Sequence, residues 1–168
     1  MPIQPESFVT IGRSMTAGMD SVDLLKNELA AEVIRSFGEL RLRVVGSSML
    51  PAIWPDDVLL VRHCDIADAA LGDIVLFLRQ RRLYAHRVVR RSDACVVTRG
   101  DGNGEFDSPL SADELLGRVS TIWRRGNVLR VGSKLTYPQR VTALLVRRSA
   151  TAGRVLTRLH ALRSGAGA

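Results

Sequence analysis

The first pattern of apolar positions along the chain is helical. Between residues 20 and 37 apolar side chains recur at three- and four-residue spacing, which predicts an amphipathic helix. Asp20 or Ser21 can cap its start, and Gly38 is a suitable stop. Residues 1–18, which are polar and contain two prolines, are expected to form a loose start. The apolar positions of the predicted helix are Leu24, Leu25, Leu29, Val33 and Ile34.

After this helix the period of the apolar pattern changes to two. Leu40, Leu42 and Val44 alternate with arginines, as in a half-buried strand. Short β-rich runs separated by turn-forming residues follow, and they favour an antiparallel barrel or sandwich. Predicted strands and helices do not alternate along the chain, so a parallel sheet is not expected. The further strands are predicted at 57–62, 73–79, 83–90, 95–99, 116–123 and 127–131.

The C-terminal part of the chain is basic. The net charge is +7, and all 17 acidic residues precede Arg125, whereas the segment from Arg125 to the end contains nine basic residues and no acidic one. From Pro138 onward, leucines and valines at helical spacing predict one or two basic helices. A field of this sign attracts anionic surfaces. The predicted organisation is an N-terminal helical arm at 1–38, a β-rich domain at 39–131 and a basic helical tail at 132–168.

Composition adds limits on the class of protein. A chain of 168 residues suffices for one domain with its own core. The sequence contains no stretch of about 18 apolar residues, so a membrane-spanning helix is not expected. The first residues also lack the pattern of a secretory signal. We therefore expect a cytoplasmic or peripherally membrane-associated protein. Cys64 and Cys95 cannot form a disulfide framework and are expected to be free thiols.

Candidate chemistry begins with a serine in the turn after the first predicted strand. Gly46 frees the backbone before Ser48, and Pro51 fixes it again, so a hydroxyl can be held outward. A serine needs a base to act as a nucleophile. Of the three histidines, His63 and His160 are expected to be ordinary surface residues, whereas His86 lies inside a predicted strand.

A third element, residues 98–107, is rich in glycine and acids. It does not fit a calcium-binding EF-hand, because Phe106 and Ala112 occupy the glycine and bidentate glutamate positions. Two interpretations remain: a tight hairpin loop whose Asp side chains bond local N–H groups, or a carboxylate that orients His86. The chain has no phosphate-binding glycine loop and no zinc spacing, so neither a cofactor nor a metal is expected.

The order and spacing of these elements resemble the signal peptidase I family, in particular its branch with a histidine base. The resemblance implies a serine endopeptidase on a mainly β, coiled antiparallel, barrel-like fold. Members of that family normally have an N-terminal spanning helix, which this sequence does not predict. The matching segments are Gly46–Pro51, Trp54–Leu59, Gly72–Leu76, His86–Val89, Thr98–Asn103 and Leu116–Val119.

The resemblance also implies roles for individual residues. Ser48 matches the nucleophile and His86 the general base, while Asp101 and Asp107 match two acids. Which of the two acids orients His86 is left open by the sequence. The backbone N–H of Ser48 is the expected oxyanion donor. Supporting roles are assigned to Ser47 and to Arg87, the latter in an ion pair.

The implied substrate is an extended peptide or protein segment, cut beside small residues and paired to the strand at 40–46. Met49, Leu50, Ile53 and Trp54 form either an apolar rim of the site or simply core. Asp56 replaces the usual glycine of a turn, at a small cost if its φ is positive. The residues expected to contact substrate are Val44, Val45, Met49, Leu50 and Ala85.

Other functions remain open. A self-cleaving repressor-type peptidase ranks lower, because no lysine lies near residue 86 and residues 20–37 offer one helix only. The alternative from another class is an inactive peptidase fold that acts as a binding module through its basic tail. The tail itself would pack on the β domain or lie on an anionic membrane. Nucleic acid is an unlikely partner, because Tyr137 is the tail's one aromatic residue.

Overall fold

A computed structural model describes residues 9–11, 21–92, 95–132 and 135–148 of the chain. Within these ranges the protein is mainly β, as the sequence predicts, with one helix before the sheet's main strands and one after them. A short 3₁₀ helix lies at Ile66–Asp68. The elements are β1 (Val9–Ile11), α1 (Ser21–Phe37), β2 (Glu39–Val44), β3 (Val58–Arg62), β4 (Ile74–Arg79), β5 (Arg82–Ser92), β6 (Cys95–Arg99), β7 (Leu115–Arg124), β8 (Asn127–Leu129) and α2 (Tyr137–Arg148).

The strands form one open sheet with the order β1-β2-β3-β7-β4-β5-β6, and β8 pairs with β7. Neighbouring strands are antiparallel, apart from the parallel pair β1–β2. The sheet does not close into a barrel. Because β7 pairs with β3 and with β4, it joins the β2–β3 half of the sheet to the β4–β5–β6 half.

Helix α1 covers one face of the sheet with only some of the apolar residues of its pattern. Small residues, Ala30 and Ala31, are buried together with Ile34. Of the apolar positions that predict the helix, Ile34 is buried, whereas Leu25 and Leu29 are 64% and 60% exposed. Alanines bring the helix backbone close to the sheet, and tertiary packing here overrides the simple apolar pattern.

The N-terminal segment differs from its prediction, because part of the expected loose start is a strand. β1 pairs in register with β2, with Val9 opposite Leu42 and Ile11 opposite Val44. This three-residue run is too short to show a periodic pattern, so the sequence gives no signal for it.

The basic tail begins as predicted with a helix, α2. The second predicted tail helix and His160 lie outside the described residues, so the tail's proposed role at an anionic surface stays a prediction. None of the helices in the described ranges is long and apolar enough to cross a bilayer.

Candidate active site

Ser48 lies in the turn that connects β2 to β3. The turn is closed by the N–H of Leu50, which donates to the carbonyl of Ser47, and by that of Ile53, which donates to Met49. Buried Asp57 holds its far end by accepting bonds from the Trp54 N–H and the Arg124 guanidinium. The Ser48 side chain is therefore presented from a fixed segment rather than from a free loop.

His86, in the middle of β5, faces Ser48. Its Nε2 lies 3.1 Å from Ser48 Oγ, and its Nδ1 lies 2.6 Å from Asp107 Oδ2. The imidazole is 3% exposed and packs against Phe77 and Tyr84, with ring centroids 5.8 and 5.9 Å away. Packing and hydrogen bonds together fix one ring orientation, in which the base reaches both the serine and the acid.

Asp107 sets the tautomer of His86. Burial raises the pKa of Asp107, but the hydrogen bond and charge of His86 and the hydroxyl of Thr98 outweigh it, so the pKa lies below its usual value. Thr98 donates to the same oxygen, Oδ2, at 2.7 Å. An ionised carboxylate only accepts, so Nδ1 carries the proton and Nε2 is left to accept from Ser48.

Asp101, the other acid that the sequence suggests, is not the hydrogen-bond partner of His86, whose two ring nitrogens bond Asp107 and Ser48. It forms a two-pronged ion pair with Arg87, at 2.9 and 2.8 Å, and both side chains are buried. The remaining Arg87 nitrogen donates to the carbonyls of Gly72 and Gly132. This ion pair anchors the strand position directly after His86, which is the supporting role expected for Arg87.

The glycine-rich loop after β6 lies directly beneath the serine turn. The N–H of Gly102 donates to the carbonyl of Ser48 at 2.8 Å. A Cβ on Gly100 would lie 2.6 Å from that same carbonyl oxygen, closer than real contacts allow. Glycine is therefore needed at residue 100 so that loop and turn can touch. The loop that leads to Asp107 thus also supports Ser48.

A small cavity of about 20 Å³ opens beside the Ser48 hydroxyl. A space of this size holds one water-sized group, so it suits a methyl side chain. Of the residues expected to contact substrate, Leu50 is fully buried and Val45 is exposed, and neither lines this cavity. Ser47, which was expected in a supporting role, is exposed and does not line it either. The residues that line the cavity are Val44, Gly46, Ser48, Met49, Ile53, Leu83, Tyr84 and Ala85.

Other residues with possible chemistry lie away from this site. His63 bonds the carbonyl of Leu116 through Nδ1. Cys64 and Cys95 are free thiols, and burial raises the pKa of Cys64. Within the described ranges no three metal-ligating side chains cluster. Asp56 has a positive φ of 70°, so this non-glycine residue carries the backbone cost expected of it.

Sequence reasoning missed several residues that support the site, among them Thr98 and Gly100. Thr98 and Gly100 belong to the predicted loop element, but neither carries a signal of its own. Only the fold reveals that the Thr98 hydroxyl reaches Asp107 and that Gly100 meets the backbone of Ser48.

The chain matches no protein-family model and no curated protein.

Proposed function

We propose that this protein is a serine endopeptidase whose catalytic residues are Ser48, His86 and Asp107. The observation that carries the proposal is the continuous chain of two hydrogen bonds from the Ser48 hydroxyl through His86 to Asp107. In this arrangement a neutral imidazole can remove the serine proton, and a fixed carboxylate stabilises the imidazolium that forms.

The proposed reaction has two steps. Ser48 Oγ attacks the carbonyl carbon of a peptide bond while its proton passes to His86 Nε2. His86 then gives that proton to the departing amine, leaving an acyl ester on Ser48. Water hydrolyses the ester by the same route in reverse, with His86 first taking a proton from water. Asp107 stays ionised throughout, in keeping with its lowered pKa.

Charge that develops on the carbonyl oxygen needs hydrogen-bond donors. We assign the backbone N–H of Ser48 to this role, because the nucleophile's own amide is close to any carbonyl that its hydroxyl attacks. The rigid support of the turn by Gly102 and Asp57 keeps the direction of that amide fixed before the substrate arrives.

The proposed substrate is an extended polypeptide with small side chains, such as alanine, beside the cut. The cavity at Ser48 supports this preference, because it is small and is lined mainly by apolar side chains. The resemblance of the motifs to those of signal peptidase I points to the same class of substrate. Cleavage of a signal-peptide-like segment is therefore the specific activity that we propose.

The test compares single substitutions on a quenched fluorescent alanine-rich peptide. Ser48→Ala and His86→Ala should each lower kcat by at least about 10⁴-fold. Ser36→Ala and His63→Ala, at exposed positions, are the matched controls and should keep activity. A peptide with leucine in place of the alanines should be cut poorly. Unchanged cleavage by either active-site variant would refute the proposal.

A serine-directed fluorophosphonate supplies a second readout that needs no known substrate. It should label the wild-type protein at Ser48 and should label the His86→Ala variant much more slowly. Labelling of neither protein, together with no peptide cleavage, would favour the inactive binding module instead.

A further inference from the structure

Strand β2 has two edges, and both are occupied. One edge pairs with β3 over Glu39–Arg43, and the other pairs with β1 over Leu42–Val44. A peptide that adds a strand to β2 beside the proposed active site cannot use the β3 edge, which is part of the sheet interior. It must therefore use the edge that the chain's own N-terminal segment covers.

The position and direction of β1 place it at the mouth of the active site. β1 is parallel to β2, and Ile11 lies opposite Val44, which lines the cavity beside Ser48. β1 also lies beside β5, the strand that carries His86 and lines the other wall of the cavity. An extended segment in this place runs along β2 toward the nucleophile, as a substrate strand would.

We propose that β1 is a built-in competitor of substrate: it occupies the substrate-binding edge of β2 and must leave before a peptide can bind. The inference rests on the proposed function for its biological meaning, but the occupied edge itself can be tested without catalysis. If the open form is a tenth of the population, substrate affinity is reduced about tenfold. A short three-residue ladder is suited to such reversible release.

The test uses the full chain with Ser48→Ala, so that no peptide is cut. Thr10→Pro and Ile11→Pro are added together, because successive N–H groups of a strand point in opposite directions and one of the two must face β2. The matched control is Thr10→Ala with Ile11→Val, which keeps both backbone donors. The probe is a fluorescein-labelled peptide with the sequence of residues 5–15.

Fluorescence anisotropy should show the peptide binding about tenfold or more tightly to the double-proline protein than to its parent or to the control. Hydrogen exchange at Leu42–Val44 should become faster in the double-proline protein and slow again when the peptide saturates it. Equal affinities for all three proteins, or unchanged exchange at these amides, would overturn the inference.

A second form of the protein guards against misfolding of the proline variant. A recognition sequence for a specific protease is inserted between Met19 and Asp20 and is cut after folding, which frees the N-terminal segment. Peptide affinity should again rise about tenfold after the cut and dilution. If affinity does not rise in this form, β1 is not a competitor.

An activity measurement separates this inference from the proposed function. With Ser48 restored, the double-proline protein should cleave the alanine-rich peptide with a kcat/KM about tenfold higher than wild type. Tighter peptide binding without any Ser48-dependent cleavage would support the role of β1 and refute the peptidase. Cleavage by both proteins at equal kcat/KM would leave the peptidase standing and overturn the role of β1.

Discussion

Asparagine substitutions of Asp107 and Asp101 should affect different properties of the protein, the first its kcat and the second its stability. Asp107→Asn removes the charge that faces the imidazolium in the transition state. Charges about 4 Å apart interact by about 4 kcal/mol at an effective dielectric constant of 20, so kcat should fall about 10³-fold. The Thr98 hydroxyl donates to Oδ2 of Asp107, so in the variant the amide oxygen of the asparagine, and not its nitrogen, should take that position. The tautomer of His86 and the fold are then retained.

Asp101→Asn should act on stability instead. It leaves the guanidinium of Arg87, 7% exposed, without its counter-charge. Loss of one partner of a buried ion pair costs about 3–5 kcal/mol, a large share of the stability of a typical domain. Because the ring nitrogens of His86 bond Asp107 and Ser48 while Asp101 bonds Arg87, kcat per folded molecule should change by less than about tenfold.

The assay measures both quantities on each variant. Urea unfolding followed by circular dichroism gives the free energy of unfolding, and active-site titration with the serine-directed probe counts the folded sites for kcat. The reasoning is refuted if Asp101→Asn lowers kcat per titrated site as much as Asp107→Asn does. It is also refuted if Asp107→Asn loses more stability than Asp101→Asn.

Two further predictions concern the support of the site, and a third concerns the ion pair between Arg79 and Glu114. Thr98→Val should lower kcat about ten- to a hundredfold in the peptide assay, because a bond to a charged group is worth about 1.5–3 kcal/mol, whereas Thr98→Ser should keep it. Gly100→Ala should lower kcat/KM at least about tenfold, since its Cβ would displace the carbonyl of Ser48, and a wild-type rate would exclude that contact. The hydrogen bond from Arg79 lowers the pKa of Glu114 to about 2. This ion pair stabilises the folded state by at most about 1 kcal/mol. The stabilisation is complete above pH 4.5 and is lost as the pH falls through about 2. Urea unfolding of Glu114→Gln between pH 5 and 2 should lack this loss, and identical profiles for both proteins would contradict the assignment.

Much of the fold could be predicted because its signals are local. The helix predicted at 20–37 is observed at Ser21–Phe37, since Gly38 adopts a positive φ and its N–H closes on the carbonyl of Ile34. Alternating apolar residues likewise place the main strands to within a residue or two. The pairing of Ser48 with His86, 38 residues apart, was indicated by the order of motifs and not by any local pattern.

What could not be predicted depends on contacts between distant segments. Asp101 and Asp107 look equivalent in sequence, and only the path of the loop decides that Arg87 takes the first and His86 the second. Strand β1 carries no apolar pattern of its own in the sequence, because it forms by pairing with β2. The buried face of α1 also depends on the sheet, against which Ala30 and Ala31 pack beside Ile34 while Leu25 and Leu29 stay exposed.

The place of β7 in the sheet has a consequence for how the protein gains activity. The proposed nucleophile is carried by one half of the sheet and the proposed base by the other, and β7, far along the chain from both, is the strand that hydrogen-bonds to each half. Such distant pairings form slowly during folding. We therefore expect a newly synthesised chain to lack the proposed peptidase activity until β7 pairs with both halves of the sheet. During refolding, cleavage of the peptide should return with the slowest phase.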